Sequence, residues 1–186
     1  MRIAFKEWAV VVDTLGRGEQ IIIFRKGGIA EGKGGFKPEH QRFWLMPTLF
    51  HQQRESVVAD ARRRFDELLA AGLPDDRVKL EFCAEVALWR PLESLDMAQK
   101  LRGQHIWSDE VIAGRFNWGR EKRIYVMAVR VSRLPQPVEL PMLPEYGGCK
   151  SWVELAKDVD DSPAQPVLGE EAFAEKLENL KRALDG

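Results

Sequence analysis

The sequence predicts a single α+β domain: a mixed, partly closed β-barrel of about five to six strands, with about three or four covering helices. Three observations lead there. Short runs rich in β-branched and aromatic residues are interleaved with segments of helical periodicity. Glycines and prolines mark most of the junctions. The 186-residue chain, 45% hydrophobic and 31% charged, can bury roughly 70% of its unfolded surface, enough for one core.

From the N-terminus, Trp8 to Leu15 is an apolar, valine-rich run, Gly16-Arg17-Gly18 is a turn signal, and Gln20 to Phe24 is a second apolar run, which together read as a β-hairpin. A glycine-rich loop (Gly27, Gly28, Gly32, Gly34, Gly35) leads to a third strand, Arg42 to Met46, stopped by Pro47. Ser56 caps a helix to about Ala71, which Gly72 and Pro74 end. Val78 to Trp89 alternates strictly between apolar and other residues and reads as a long strand with one buried face. Ser94 and Ser108 cap two short helices, the first ending at Gly103 and the second near Asn117. Ile124 to Leu134 is the last strand, because Pro135, Pro137, Pro141 and Pro144 make the next stretch unfit for a central strand. Residues 1–157 are expected to form the domain, 158–168 a linker, and 169–186 a helix whose stripe of Phe173, Leu177, Leu180 and Leu184 packs on the domain or on a partner.

Charge narrows the function classes. The formal net charge is −1, but residues 1–64 and 114–136 are basic and the remainder is acidic. Two basic segments meeting on one face would attract an anion. No stretch approaches the ~20 apolar residues of a membrane span, and the charged start is unlike a signal peptide, so a cytoplasmic protein is expected. The two cysteines, Cys83 and Cys149, form no CxxC or Cys/His cluster, so neither a metal nor a cofactor is expected. No GxSxG, Ser-His-Asp or HExxH pattern occurs, and the balance leans away from an enzyme.

Three groups of residues are candidates for chemistry. In Arg25-Lys26-Gly27-Gly28 the glycines free backbone amides to converge on an anion between two cations, although the spacing is not that of a P-loop. His51 and Gln52 follow a strand end, where a histidine serves as base, ligand or phosphate contact. Arg115, Trp118, Arg120, Lys122 and Arg123 interleave an indole with cations, a mixture suited to stacking a base and neutralising phosphates, and Trp107 is placed to join them. The structural alternatives are a wide solvated turn for the first group, a hydrogen-bonded histidine for the second and a core tryptophan for the third. His40 and His105 read as surface or boundary residues.

Four separated motifs occur in order: Lys6-Glu7-Trp8; Arg25-Lys26-Gly27-Gly28-Ile29 with Glu31; Pro47-Thr48 with His51-Gln52; and Tyr146-Gly147-Gly148-Cys149 with Ser151-Trp152. On these the chain resembles the bacterial family catalogued as domain of unknown function 1802, which implies which residues matter and lends no activity. Residues 78–134 run as a long strand, a short helix ending in glycine, an acidic-start helix with Phe116 near its end, and a valine-rich strand. That order, with the Gln20–Lys26 exit, is similar to ASCH domains of the PUA-like class. The likeness implies a small β-barrel associated with RNA.

The expected function is therefore nucleic-acid binding, RNA favoured, by a basic face built from residues 25–42 and 115–123. The alternatives are a metal-dependent phosphodiesterase or nuclease using Glu7, Glu31 and His51, and a protein-interaction module acting through the C-terminal helix.

Overall fold

The computed structural model describes residues 1–26, 36–49, 53–148 and 150–186. The chain enters on strand β1 (Ile3–Trp8) and turns directly into helix α1 (Ala9–Gly16). Strands β2 (Ile22–Arg25) and β3 (Arg42–Thr48), helix α2 (Ala59–Ala71) and the long strand β4 (Arg77–Leu92) come next. Short helices α3 (Leu95–Gln99) and α4 (Asp109–Asn117) connect β4 to the longest strand, β5 (Ile124–Pro141). Strands β6 (Trp152–Glu154) and β7 (Gln165–Pro166) precede the final helix, α5 (Glu170–Asp185). The sheet order is β2-β5-β4-β3-β1-β6, with β7 beside β5. All pairs are antiparallel except β1 with β3.

The sheet is curled into a partly closed barrel. Strands β1 and β2 are four places apart in the sheet, yet the guanidinium of Arg25 on β2 lies 4.2 Å over the Phe5 ring on β1 and donates to the Lys6 carbonyl. The main core fills the concave side with Phe5, Ile22, Phe24, Phe43, Leu45, Tyr125 and Met127 under α1. A second cluster, with Ala4, Trp44, Met46, Leu80, Cys83 and Leu134, is covered on the opposite side by the chain from Tyr146 to Val159. Strand β3 therefore buries both faces, Phe43 and Leu45 to one cluster and Trp44 and Met46 to the other, which accounts for its unbroken apolar run. Phe173, Leu180 and Leu184 of α5 are buried in the main core. Among the described residues no helix is long and apolar enough to cross a membrane.

Several expectations are corrected. The Trp8–Leu15 run does not form a hairpin: α1 takes its place, buried nearly all round. A helix sealed on every side has no polar stripe, so its sequence reads like a buried strand. The glycine turn after it is the helix's C-cap. Glu19 N–H bonds the Thr14 carbonyl and Gly18 N–H, at φ +70°, bonds that of Leu15, a Schellman closure. Strand β2 pairs instead with β5.

Strand β3 continues through Pro47 to Thr48. It pairs with β4 only from Arg42 to Trp44, so the missing N–H of Pro47 breaks no bond to that neighbour. Ser56 lies in a 3-10 turn, and α2 begins after Val58 with no side-chain cap. The serine caps of α3 and α4 are present: Ser94 accepts from Met97 N–H and Ser108 from Val111 N–H.

The alternation of β4 serves two faces rather than one. The register shifts between Leu80 and Phe82, so Val78, Leu80 and Cys83 share the second cluster while Phe82 and Ala84 meet the main core. Strand β5 runs on past Leu134 to Pro141; Pro135 and Pro137 lie opposite that irregularity, where the ladder is already interrupted.

Candidate nucleic-acid interface

The motif residues on the described chain converge where β1 ends. Lys6 Nζ donates to the Tyr146 and Gly148 carbonyls at 3.0 and 2.6 Å, tying β1 to the glycine turn 140 residues away. Thr48 Oγ1 donates to the Glu7 carbonyl at 3.3 Å. The Phe5 and Trp152 rings pack with centroids 4.6 Å apart. Glu7 is 4% exposed; its carboxylate accepts Trp8 N–H at 2.7 Å and faces Arg25 Nη2 at 3.3 Å. Four stretches distant in sequence thus share one end of the barrel.

The two basic segments also abut. Lys26 Nζ, at the exit of β2, donates to the carbonyls of Phe116, Glu121 and Arg123, the first at 3.2 Å and the last at 2.8 Å. Burial, followed by Lys122 nearby, lowers the Lys26 pKa. The helix C-terminus explains the contact with Phe116, since the last carbonyls of α4 have no intrahelical donors, while the other two carbonyls belong to the turn beyond it. Lys122 Nζ likewise donates to the Asn117 carbonyl at 2.6 Å. These lysines bind the 115–123 segment to the strand exit.

Beyond this tie the segment faces solvent. Trp118, the residue that ends α4, is 59% exposed. Gly119 at φ +71° comes next, then exposed Arg120, Glu121 and Lys122. Arg123 pairs with Glu93 at 3.0 Å. The core alternative for Trp118 is corrected. It holds instead for Trp107, which is 2% exposed and beyond the reach of any base.

Arg115 turns inward. Its guanidinium lies 4.0 Å over the Trp107 ring and 5.8 Å from that of Trp8. Burial drives its pKa down to about 10, against the pull of Glu7 and with the push of Arg25. Gly27, Gly28, Glu31, His51, Gln52 and Cys149 lie outside the described residues. Among the described residues no three His, Cys, Asp or Glu side chains gather as a metal site. Cys83 is a free, buried thiol whose pKa burial raises.

His105, expected at the surface, is 7% exposed beneath this site. Its Nδ1 accepts Trp107 N–H at 3.1 Å and its ring meets Phe24 edge-on at 4.8 Å. The signal was in the apolar Ile106-Trp107 that follows it, whereas Gly103-Gln104 before it reads as a turn. Burial first lowers its pKa from 6.5 to about 4, with Arg115 adding to the shift and Asp109 opposing it. The folded state thus holds the neutral ring while the unfolded chain protonates below 6.5, so this contribution is complete at neutral pH. It is lost as pH falls, at up to ~1.4 kcal/mol per pH unit and about 3 kcal/mol in all by pH 4. Denaturant titrations from pH 7 to 4 should show that slope, and His105→Asn, which keeps an acceptor near Nδ1, should flatten it. An unchanged slope would place the acid sensitivity elsewhere.

The crystal structure of ASCH from Zymomonas mobilis is similar to this fold at a TM-score of 0.46 and 12% identity, covering 96% of this chain and 94% of that one. Two mutant proteins of the same ASCH match at TM-scores of 0.47 and 0.45, with 11% and 13% identity, over 96% of this chain and 94% and 96% of theirs. No curated protein matches the sequence. The family model for the domain of unknown function DUF1802 matches residues 4–179, nearly the whole length, and the chain belongs to that family.

Proposed function

We propose that this protein binds nucleic acid, with RNA favoured, through the face that the C-terminal end of α4 and the exit of β2 form together. One observation carries the reading: the exposed indole of Trp118 stands beside Arg120 and Lys122, in a segment that Lys26 ties to the first basic stretch. A solvent-facing indole costs hydration, and stacking on a base recovers it with any sequence. The adjoining cations supply the phosphate contacts. The likeness of the sequence to ASCH domains supports RNA over DNA.

Trp118→Ala tests it. With the ring in solvent, melting should be nearly unchanged, while affinity for a single-stranded oligoribonucleotide falls by about 1 to 3 kcal/mol for the lost stack. Arg120→Ala should lower affinity for every sequence alike and reduce the slope of log K against log salt by about 0.7. If the unaltered protein binds no RNA at ~50 mM salt, where such contacts are strong, the reading fails.

A further inference from the structure

The end of the barrel where β1, β2 and α4 meet holds a positive charge that the described residues do not balance. Arg25 and Arg115 both act on the buried carboxylate of Glu7, and Glu7 pairs with Arg25. Arg115 is left with its ring contacts to Trp107 and Trp8 and, among the described residues, no hydrogen bond or ion pair. A guanidinium carries five N–H donors that cannot be discharged by deprotonation near neutral pH. Arg115 is half-buried, so part of its fork stays open to solvent rather than sealed in the core. The Nε of Arg25 is buried with no acceptor among the described residues. Arg115 thus presents a partly accessible fork, uncommitted among the described residues, close enough to feel both Arg25 and Glu7.

We propose that Arg115, with Arg25 beside it, holds a phosphate monoester at this end of the barrel. The planar fork fits two phosphate oxygens, and the Trp107 face under it fixes the plane in which the fork is presented. Lys26 and Lys122, anchored at the adjoining end of α4, add to the field, so it favours a dianion over a singly charged carboxylate. Trp8, half-buried at the rim, offers a ring to a base attached to the phosphate. This deepens the nucleic-acid reading by naming the group held, and it stands on residues other than Trp118.

The probes are inorganic phosphate, a nucleoside monophosphate, acetate, and a short oligoribonucleotide with or without a 5′-phosphate, each at matched ionic strength. Saturable quenching of tryptophan fluorescence and a rise in melting temperature are expected with phosphate and the nucleotide, and less with acetate. Preference for the nucleotide over the oligomers would assign a free ligand; preference for the 5′-phosphorylated oligomer would assign a strand end. Arg115→Gln should weaken phosphate binding at least about tenfold, as expected when a charge-assisted contact is lost, and Trp118→Ala should leave it unchanged. Should Arg115→Gln not fold, Arg115→Lys keeps the charge without the fork, and the Nε resonances of the arginines report contact in the unaltered protein. Equal binding by the Arg115 variants, no saturable response to any phosphate probe, or preference for acetate would overturn the proposal. RNA binding that depends on Trp118 could survive any of those results, so failure here is separable from failure of the broader reading.

Discussion

Removing the carboxylate of Glu7 is expected to be among the most damaging single changes in this protein. Glu7→Ala takes away the acceptor for Trp8 N–H and the anion facing Arg25, at a place where Arg25 is 21% exposed and Glu7 almost fully covered. Breaking a buried pair from one side leaves an uncompensated charge, a loss of about 3 to 5 kcal/mol. Arg115 lies within the same field, so the change would also remove the anion that offsets the repulsion between it and Arg25. Urea unfolding should show the midpoint falling with little change in slope. Glu7→Gln should recover part of the loss through the Trp8 N–H bond, but not the charge. Replacing both partners, Glu7→Leu with Arg25→Met, should recover more, because no charge then remains unpaired. A loss below about 1 kcal/mol for Glu7→Ala would place the pair among solvent-screened ion pairs of small value and remove it as the anchor of this end of the barrel.

What the sequence showed of the fold depended on whether an element had one face or two. Helix α5 alternates a covered and a wet side, and its stripe of Phe173, Leu177, Leu180 and Leu184 was legible. Helix α1 has no wet side, so Val10, Val11 and Val12 carried no period, and their β-branched side chains argued for a strand that packing overrode. Strand β4 shows the converse error. Its letters alternate without a break, but an irregularity in the ladder reverses which face each parity serves. Such a shift depends on the partner strand and leaves no mark in the β4 segment itself. Pro135 and Pro137 signalled that irregularity, although as an end to β5 rather than an interruption of it.

The candidate site was legible in its composition and less so in its roles. Arg25, Lys26, Arg115, Trp118, Arg120 and Lys122 stood out because cations and an indole sat close together, and the strand exit and the end of α4 do meet. Which side chain faces water depends on the path of α4. Arg115 and Trp118 are three residues apart on or beside that helix, yet the first turns onto Trp107 while the second projects into solvent. Lys26, read as a phosphate contact, has its ammonium on three carbonyls, one at the end of α4 and two in the turn beyond it, whose positions no local pattern reveals.

Trp107→Ala should match Glu7→Ala in size by a different route. The indole is 2% exposed and meets Trp8 edge-on at 4.7 Å. Its other face carries Arg115, and its residue forms an isolated bridge with Val57 that ties the chain before α2 to the chain before α4. Truncation would open a large cavity between these elements, for a loss of about 3 to 5 kcal/mol. Trp107→Phe should cost less, because a ring still fills most of the space and supports the guanidinium. Measured in one urea series, the two variants separate packing from platform. If Trp107 served mainly to seat Arg115, Phe would restore both stability and phosphate affinity nearly in full. If it served mainly to fill the core, Phe would leave a residual stability loss proportional to the volume removed, while affinity for phosphate returned. A Trp107→Ala protein as stable as the unaltered chain would contradict the packing described around this ring, and with it the rigid floor on which Arg115 is presented.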